Sequence, residues 1–151
     1  GFDEICLAVP YTKSVNYQMM AKAAVNASGK LSRPIERQNI HSVATSGERE
    51  QFIAKLKAAK KRIGVYYLGS LGSPPDDLAL IMRRSLVQAG LRCPEQVGFL
   101  AGMSIQADGG DDVSTFQVDY NEMGHIAGEI LANGKHRVAV IPAQLRIGST
   151  T

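Results

Sequence analysis

The chain is poor in cysteine, and no apolar run in it is long enough to cross a membrane. Its two cysteines, Cys6 and Cys93, are too few for a disulfide scaffold, and we expect reduced thiols in a cytoplasmic protein. The opening segment carries Asp3 and Glu4, which argues against a secretory signal peptide. A net charge of +3 is too small to indicate nucleic-acid binding alone. We therefore expect a globular domain with no membrane partner.

The motifs of common enzymes and cofactor sites are also missing. The three histidines, His41, His125 and His136, have no metal-ligand spacing, and neither cysteine has a histidine nearby in sequence. The glycine-rich residues 69–73 lack the Gly-Lys-Ser/Thr ending of a phosphate-binding loop. The acidic residues 108–112 lack the spacing of a calcium-binding loop. We expect no cofactor, no metal and no catalytic residue.

Apolar strands and amphipathic helices alternate along the chain. This alternation predicts an α/β fold, a doubly wound parallel sheet with helices on both faces. Thr45 and Glu48 have capping-box spacing, and Met19 and Met20 are expected in the core. The predicted strands are residues 5–9, 37–43, 63–68, 97–101, 113–118 and 138–141, and an irregular tail runs to 151. The predicted helices are residues 14–28, a segment opened by Thr45, residues 73–90 and residues 119–131.

The third of these helices carries the most information. Asp76 and Asp77 open it directly after an apolar strand, and Gly90 closes it before the next strand. Ligands of open parallel sheets bind outside the carboxyl ends of the strands, so Asp76 is placed to meet a small molecule. The alternative is that both carboxylates only favour the helix dipole, by roughly 0.3–1 kcal/mol each.

Three segments resemble the lactose-repressor (LacI) family of bacterial transcription regulators. The first is the aspartate-led helix, with Asp76, Ala79 and Gly90 at the family's spacing and a strand after it. The second is Asp119-Tyr120-Asn121-Glu122-Met123-Gly124-His125-Ile126-Ala127, similar to the family's D-x-x-x-M-G-x-x-A helix. The third is Gly148-Ser149-Thr150, similar to the end of the effector domain. Together they cover most of residues 62–151.

The resemblance implies one lobe of a type I periplasmic-binding-protein-like domain. On this interpretation residues 1–151 are an effector-binding fragment, with the second lobe at about 1–112 and a final strand at about 138–141. Helix 119–133 belongs to the first lobe in the full family. The implied protein is a regulator and no enzyme. It contacts DNA only through a module absent from this chain, placed at either end of the full protein.

The resemblance also implies a small-molecule effector of unidentified structure, with a sugar-related ligand as one candidate, held by Asp76, Tyr11, Tyr17 and Met103. Sugar-binding members place an arginine on the first helix of this lobe, where this chain has Tyr17 or Gln18. They also end a strand with Gly-Phe-Asp-Asp, where this chain has residues 101–104, Ala-Gly-Met-Ser. These departures argue against a free sugar, and a less polar ligand, a phosphorylated ligand or no ligand stay open as alternatives.

Two other functions stay open. One is a periplasmic ligand-binding protein of the same architecture. The other is a small doubly wound enzyme that uses Asp76 or Asp77 as acid or base. Helix 119–131 carries an apolar stripe that needs a cover, so we expect a homodimer with this helix at or near the interface. The stripe consists of Met123, Ile126, Ala127, Ile130 and Leu131.

Overall fold

A computed structural model of the chain describes residues 1–69, 78–104, 113–134 and 142–151. Strands and helices alternate along these residues. The strands are β1 (Glu4–Val9), β2 (Ile40–Ser42), β3 (Ile63–Tyr67), β4 (Val97–Ser104), β5 (Ser114–Gln117) and β6 (Gln144–Arg146). The helices are α1 (Val15–Ser28), α2 (Ser46–Ala58), α3 (Leu78–Gln88) and α4 (Tyr120–Asn133). Within the described residues, none of these helices is long and apolar enough to cross a bilayer.

The strands form one six-stranded sheet in the order β2-β1-β3-β4-β5-β6. Strands β1 to β5 pair in parallel, so β1, β3 and β4 are interior strands and the predicted α/β class is confirmed. The expectation of an irregular tail was wrong, because β6 pairs antiparallel with β5. An exposed strand edge leaves unpaired backbone groups, and β6 covers the outer edge of β5.

Helices cover both faces of the sheet because successive side chains of a strand point to opposite faces. Cys6 and Ala8 of β1 lie in the core beneath α2 and α3. Leu7 and Val9 lie on the other face, where Tyr17, Ala21, Ala24 and Val25 of α1 pack against them. A strand that is buried on both faces needs a continuous apolar run, and β1 has one.

Local sequence signals set the helix ends. Thr45 accepts a hydrogen bond from the backbone N–H of Glu48, whose carboxylate accepts one from the Thr45 backbone, so the capping box is complete. Gly90 follows α3 with φ of +79°, a conformation that favours glycine and ends the helix. Asp119 caps α4 by accepting from the Glu122 backbone.

Several predicted boundaries were wrong. Residues 37–39 form a short 3₁₀ turn, and only Ile40–Ser42 pairs as a strand. The predicted loop from residue 102 begins later, because β4 continues to Ser104 through a register shift against β5. Met19 is 65% exposed and Met20 is 40% exposed, so neither fills the core. The predicted strand at 138–141 lies outside the described residues.

Helix α4 differs from the other helices in its burial. None of its residues is buried, and Leu131 at its end is 83% exposed. Ile126 and Ile130 of the apolar stripe are only half-buried. The described part of this chain therefore leaves the predicted stripe largely uncovered.

Candidate functional site

The carboxyl ends of β1 to β5 meet at one edge of the sheet because these strands are parallel. The described loops at this edge follow β1, β2, β3 and β5. In open parallel sheets this edge is where small molecules bind. The predicted site is therefore expected at this carboxyl edge.

The loop after β1 is a fixed turn that begins at Tyr11. The backbone N–H of Ser14 donates to the carbonyl oxygen of Tyr11 at 3.1 Å, which closes a four-residue turn. Gln18 of α1 reaches back, and its side-chain amide donates to the Thr12 carbonyl at 2.8 Å. The turn is thus held both by itself and by the first turns of α1.

Two tyrosines meet beside this turn. The ring centroids of Tyr11 and Tyr17 lie 5.3 Å apart with an interplanar angle of 49°, a favourable tilted arrangement. Tyr17 is half-buried against β1, and this burial, together with Tyr11 nearby, raises the pKa of its hydroxyl. Tyr11 is 51% exposed. Tyr17 therefore supports the ring of Tyr11, and Tyr11 presents apolar surface to solvent.

The exit of β3 is held by close backbone contacts. A Cβ atom on Gly69 would lie 2.1 Å from the ring of Tyr67, so only glycine fits over this buried ring. The backbone N–H of Gly102 in β4 donates to the Gly69 carbonyl at 3.1 Å. A Cβ atom on Gly102 would lie 2.9 Å from that same oxygen. These two glycines let β3 and β4 leave the sheet side by side.

Charged side chains at this edge are mostly occupied. Glu48 belongs to the capping box, and its hydrogen bond from the Thr45 backbone is the main reason why its pKa is lowered. Arg49 donates to the carbonyl oxygens of Val43 and Ala44, at 3.5 and 3.4 Å. In the described loops at this edge, Lys13 is the one charged side chain with no hydrogen-bond or ion-pair partner. Within the described residues no three metal-ligating side chains come together.

Other concave surfaces lie away from this edge. A groove of about 440 Å³ runs between α2 and α3 on the outer side of those helices. Two polar cavities of about 380 and 330 Å³ lie near the amino ends of β1 and β3. Asp3 pairs with Arg33 and Glu4 pairs with Lys61 there, so these charges already have partners.

No protein-family model and no curated protein sequence matches the chain. Solved structures match it along its whole length. The Escherichia coli transcriptional repressor ascG matches with a TM-score of 0.72 at 15% identity, over 100% of this chain and 56% of that one. A PurR family transcriptional regulator from Vibrio parahaemolyticus matches with a TM-score of 0.72 at 14% identity, over 100% and 56%.

A LacI family transcriptional regulator from Lactobacillus casei, solved with bound glucose, has a TM-score of 0.68 at 14% identity, over 100% of this chain and 57% of that one. This chain has the fold of LacI- and PurR-family transcriptional regulators. It spans slightly more than half of the length of the structures it matches. These neighbours are regulators and not enzymes.

In this LacI-type fold the structure brings two of the four predicted site residues together, Tyr11 and Tyr17. Asp76 lies outside the described residues. The backbone of Met103 pairs with that of Phe116 near the carboxyl end of β4. The Met103 side chain is not among the described parts of the structure. The effector role of all four stays a prediction.

Sequence reasoning missed three features of this edge. Gln18, considered as a stand-in for a sugar-binding arginine, is bonded to its own loop. Lys13 was overlooked because a single lysine in a turn carries no motif. The contact between Tyr67 and Gly69 was also missed, although a glycine two residues after a buried aromatic was a visible signal.

Proposed function

We propose that this chain is the effector-binding and dimerisation portion of a LacI-type transcriptional regulator. The observation that carries the proposal is the match of 97–100% of the chain to six structures, all transcription regulators, with TM-scores from 0.61 to 0.72. The motifs at Asp76, Asp119 and Gly148 support it independently, because they were found in the sequence alone.

The division into lobes is part of this proposal. The sheet with α1, α2 and α3 corresponds to the second lobe, and α4 reaches toward a first lobe. The low burial of α4 supports this arrangement, because Met123 is 41% exposed and Ile126 and Ile130 are only half-buried in the described chain. Large apolar side chains left in water forfeit roughly 1.5–3 kcal/mol each, so a cover is expected in the complete protein.

The effector site is proposed at the carboxyl edge of the sheet. Tyr11 and Tyr17 supply apolar ring surface there, and Asp76 and Met103 are the further contacts that the family resemblance implies. The effector is a small molecule. The glucose bound to the Lactobacillus casei regulator supports a ligand related to sugars. In this proposal DNA is bound through a separate module, and the protein forms a homodimer. Its two cysteines are free thiols, as is usual for proteins of the reducing cytoplasm.

Paired substitutions at Asp76 and Asp77 test the site in the protein that contains this chain. Thermal-shift screening against sugars, sugar phosphates and purines identifies the effector, and calorimetric titration measures its affinity. Asp76→Ala should weaken binding by roughly 1–3 kcal/mol, the usual loss for a hydrogen bond to a charged group. Asp77→Ala is the matched control and should matter less. Equal and negligible effects would favour a role in capping the helix only.

A further inference from the structure

The most exposed part of the candidate site has a chemistry that narrows the ligand class. Tyr11 and Lys13 share the turn that closes between Tyr11 and Ser14. This turn is bonded to α1 through Gln18, so the two side chains project from a fixed piece of backbone. Because the backbone of this turn is already ordered, ligand binding there costs little backbone conformational entropy.

The ring of Tyr11 offers a stacking surface. The half-buried ring of Tyr17 packs against it at a centroid distance of 5.3 Å. Tyr11 is thus held by one neighbouring ring and stays half-exposed. An exposed aromatic ring that is held in place from one side suits the flat apolar face of a ligand ring.

Lys13 adds a single positive charge. Three other charged side chains near this edge already have partners: Glu48 is bonded to Thr45, Arg49 to two carbonyl oxygens, and Asp119 to the backbone N–H of Glu122. Lys13 has no such partner, and no carboxylate in the turn Tyr11–Ser14 competes for it. Among the described loops of this edge, the unpaired charge on the turn that carries Tyr11 is therefore positive.

We infer that the effector combines a flat ring face with an anionic group, the ring on Tyr11 and the anion at Lys13. This inference rests on the proposed function and narrows its ligand class. It also explains why the sugar-clamping arginine and the paired acids of free-sugar binders are missing from residues 17–18 and 101–104. A nucleotide, a sugar phosphate and an aromatic acid all share this chemistry.

Matched pairs of probes test the inference on the chain itself. The pairs are adenosine monophosphate and adenosine, a glucose phosphate and glucose, and benzoate and benzyl alcohol. Saturation-transfer NMR titrations measure the affinity of each and show which ligand protons touch the protein. In at least one pair the anionic member should bind roughly twofold to tenfold more tightly than the neutral member. The pair that binds identifies the ligand source.

Two substitutions assign the contacts. Lys13→Gln should abolish the preference for the anion, and Lys22→Gln, an exposed lysine on α1, should leave it unchanged. Tyr11→Ala should weaken both members of the binding pair by roughly fivefold to a hundredfold, the usual loss of one stacked ring. Circular dichroism of each variant controls for folding.

Equal affinity of the two members in every pair that binds would overturn the inference, as would a preference that survives Lys13→Gln. Failure of every probe to bind at millimolar concentration would also overturn it. The proposed effector site fails separately, if the effector found by screening binds with the same affinity after Tyr11→Ala and Asp76→Ala. A neutral effector whose binding depends on Tyr11 would support the proposed effector site and would contradict only the anionic group inferred here.

Discussion

The hydroxyl of Thr150 donates a hydrogen bond of 2.6 Å to the backbone carbonyl of Phe99, in the interior of the sheet. The same hydroxyl accepts from the backbone N–H of Ser114, and the Phe99 N–H donates to the Thr150 carbonyl. Thr150 is 1% exposed. The end of the chain thus joins β4 to β5, which gives the Gly148-Ser149-Thr150 motif a structural role.

Replacing Thr150 with valine should therefore destabilise the fold. The substitution keeps the shape of the side chain and removes the hydroxyl, which leaves the Ser114 N–H buried without its partner. Such a loss costs about 1–3 kcal/mol. Urea unfolding followed by circular dichroism measures it. Thr150→Ser, which keeps the hydroxyl, is the control. Equal midpoints for the two variants would contradict the role assigned to this hydroxyl.

Acid should lower the stability of the fold through His41, which lies on the outermost strand, β2. This side chain is half-buried on β2, its Nε2 lies 3.1 Å from Nζ of Lys55, and its ring packs on Phe52. Burial first, and then the charge of Lys55, lower its pKa from the usual 6.5, and Glu4 opposes them. The unfolded chain then binds the proton before the folded one does, so stability falls as the pH drops below about 6.5 and levels off below the folded pKa.

Unfolding free energies between pH 5 and 8 test this dependence, a range that covers the normal histidine pKa. His41→Gln should flatten the slope near pH 6.5. His125→Gln is the matched control, because His125 is 70% exposed on the surface of α4. A slope that is the same in all three proteins would show that His41 does not control it.

The chain by itself should show no sequence-specific binding to DNA. Its net charge is only +3, which is small for a domain that binds DNA by itself. A gel-shift assay at physiological salt measures this. Tight and sequence-selective binding there would refute the proposal that DNA is contacted through a separate module.

The apolar stripe of α4 should make the isolated chain self-associate. The stripe is uncovered in the described chain, so burying it between copies is favourable. Light scattering at tens of micromolar should report a dimer. The double substitution Ile126→Asp and Ile130→Asp should dissociate it without unfolding, and Asn121→Asp, an exposed residue on the same helix, is the charge control. A monomeric parent, or unfolding of the double variant, would count against this interface.

The sheet and its helices were predictable because their signals are local. The buried strand β1 contains a continuous apolar run. In each helix cap, Thr45–Glu48 and Asp119–Glu122, the two partners are only three residues apart in sequence. Strand β6 was not predictable in this way. Its three residues, Gln144, Leu145 and Arg146, alternate between polar and apolar over too short a run to predict a strand, and they pair along the edge of β5.

The site was less predictable than the fold, because its arrangement depends on packing between elements and not on local sequence signals. The pairing of Tyr11 with Tyr17 depends on how α1 packs on β1, and no short motif encodes this packing. The exposed position of Met19 and Met20 likewise follows from the narrow face that α1 buries, since apolar residue type alone does not say which face turns inward.

The location of the effector is tested most directly by the amide NMR spectrum of the chain, titrated with a panel of sugars, sugar phosphates and purines. We predict that a binding ligand shifts the amides of Tyr11, Thr12 and Gly69 at the carboxyl edge of the sheet. The amides of Phe2 and Gln96, at the opposite edge, should stay in place. A ligand that shifts only the opposite edge or the groove between α2 and α3, or a panel in which no ligand shifts the carboxyl edge, would contradict the proposed effector site.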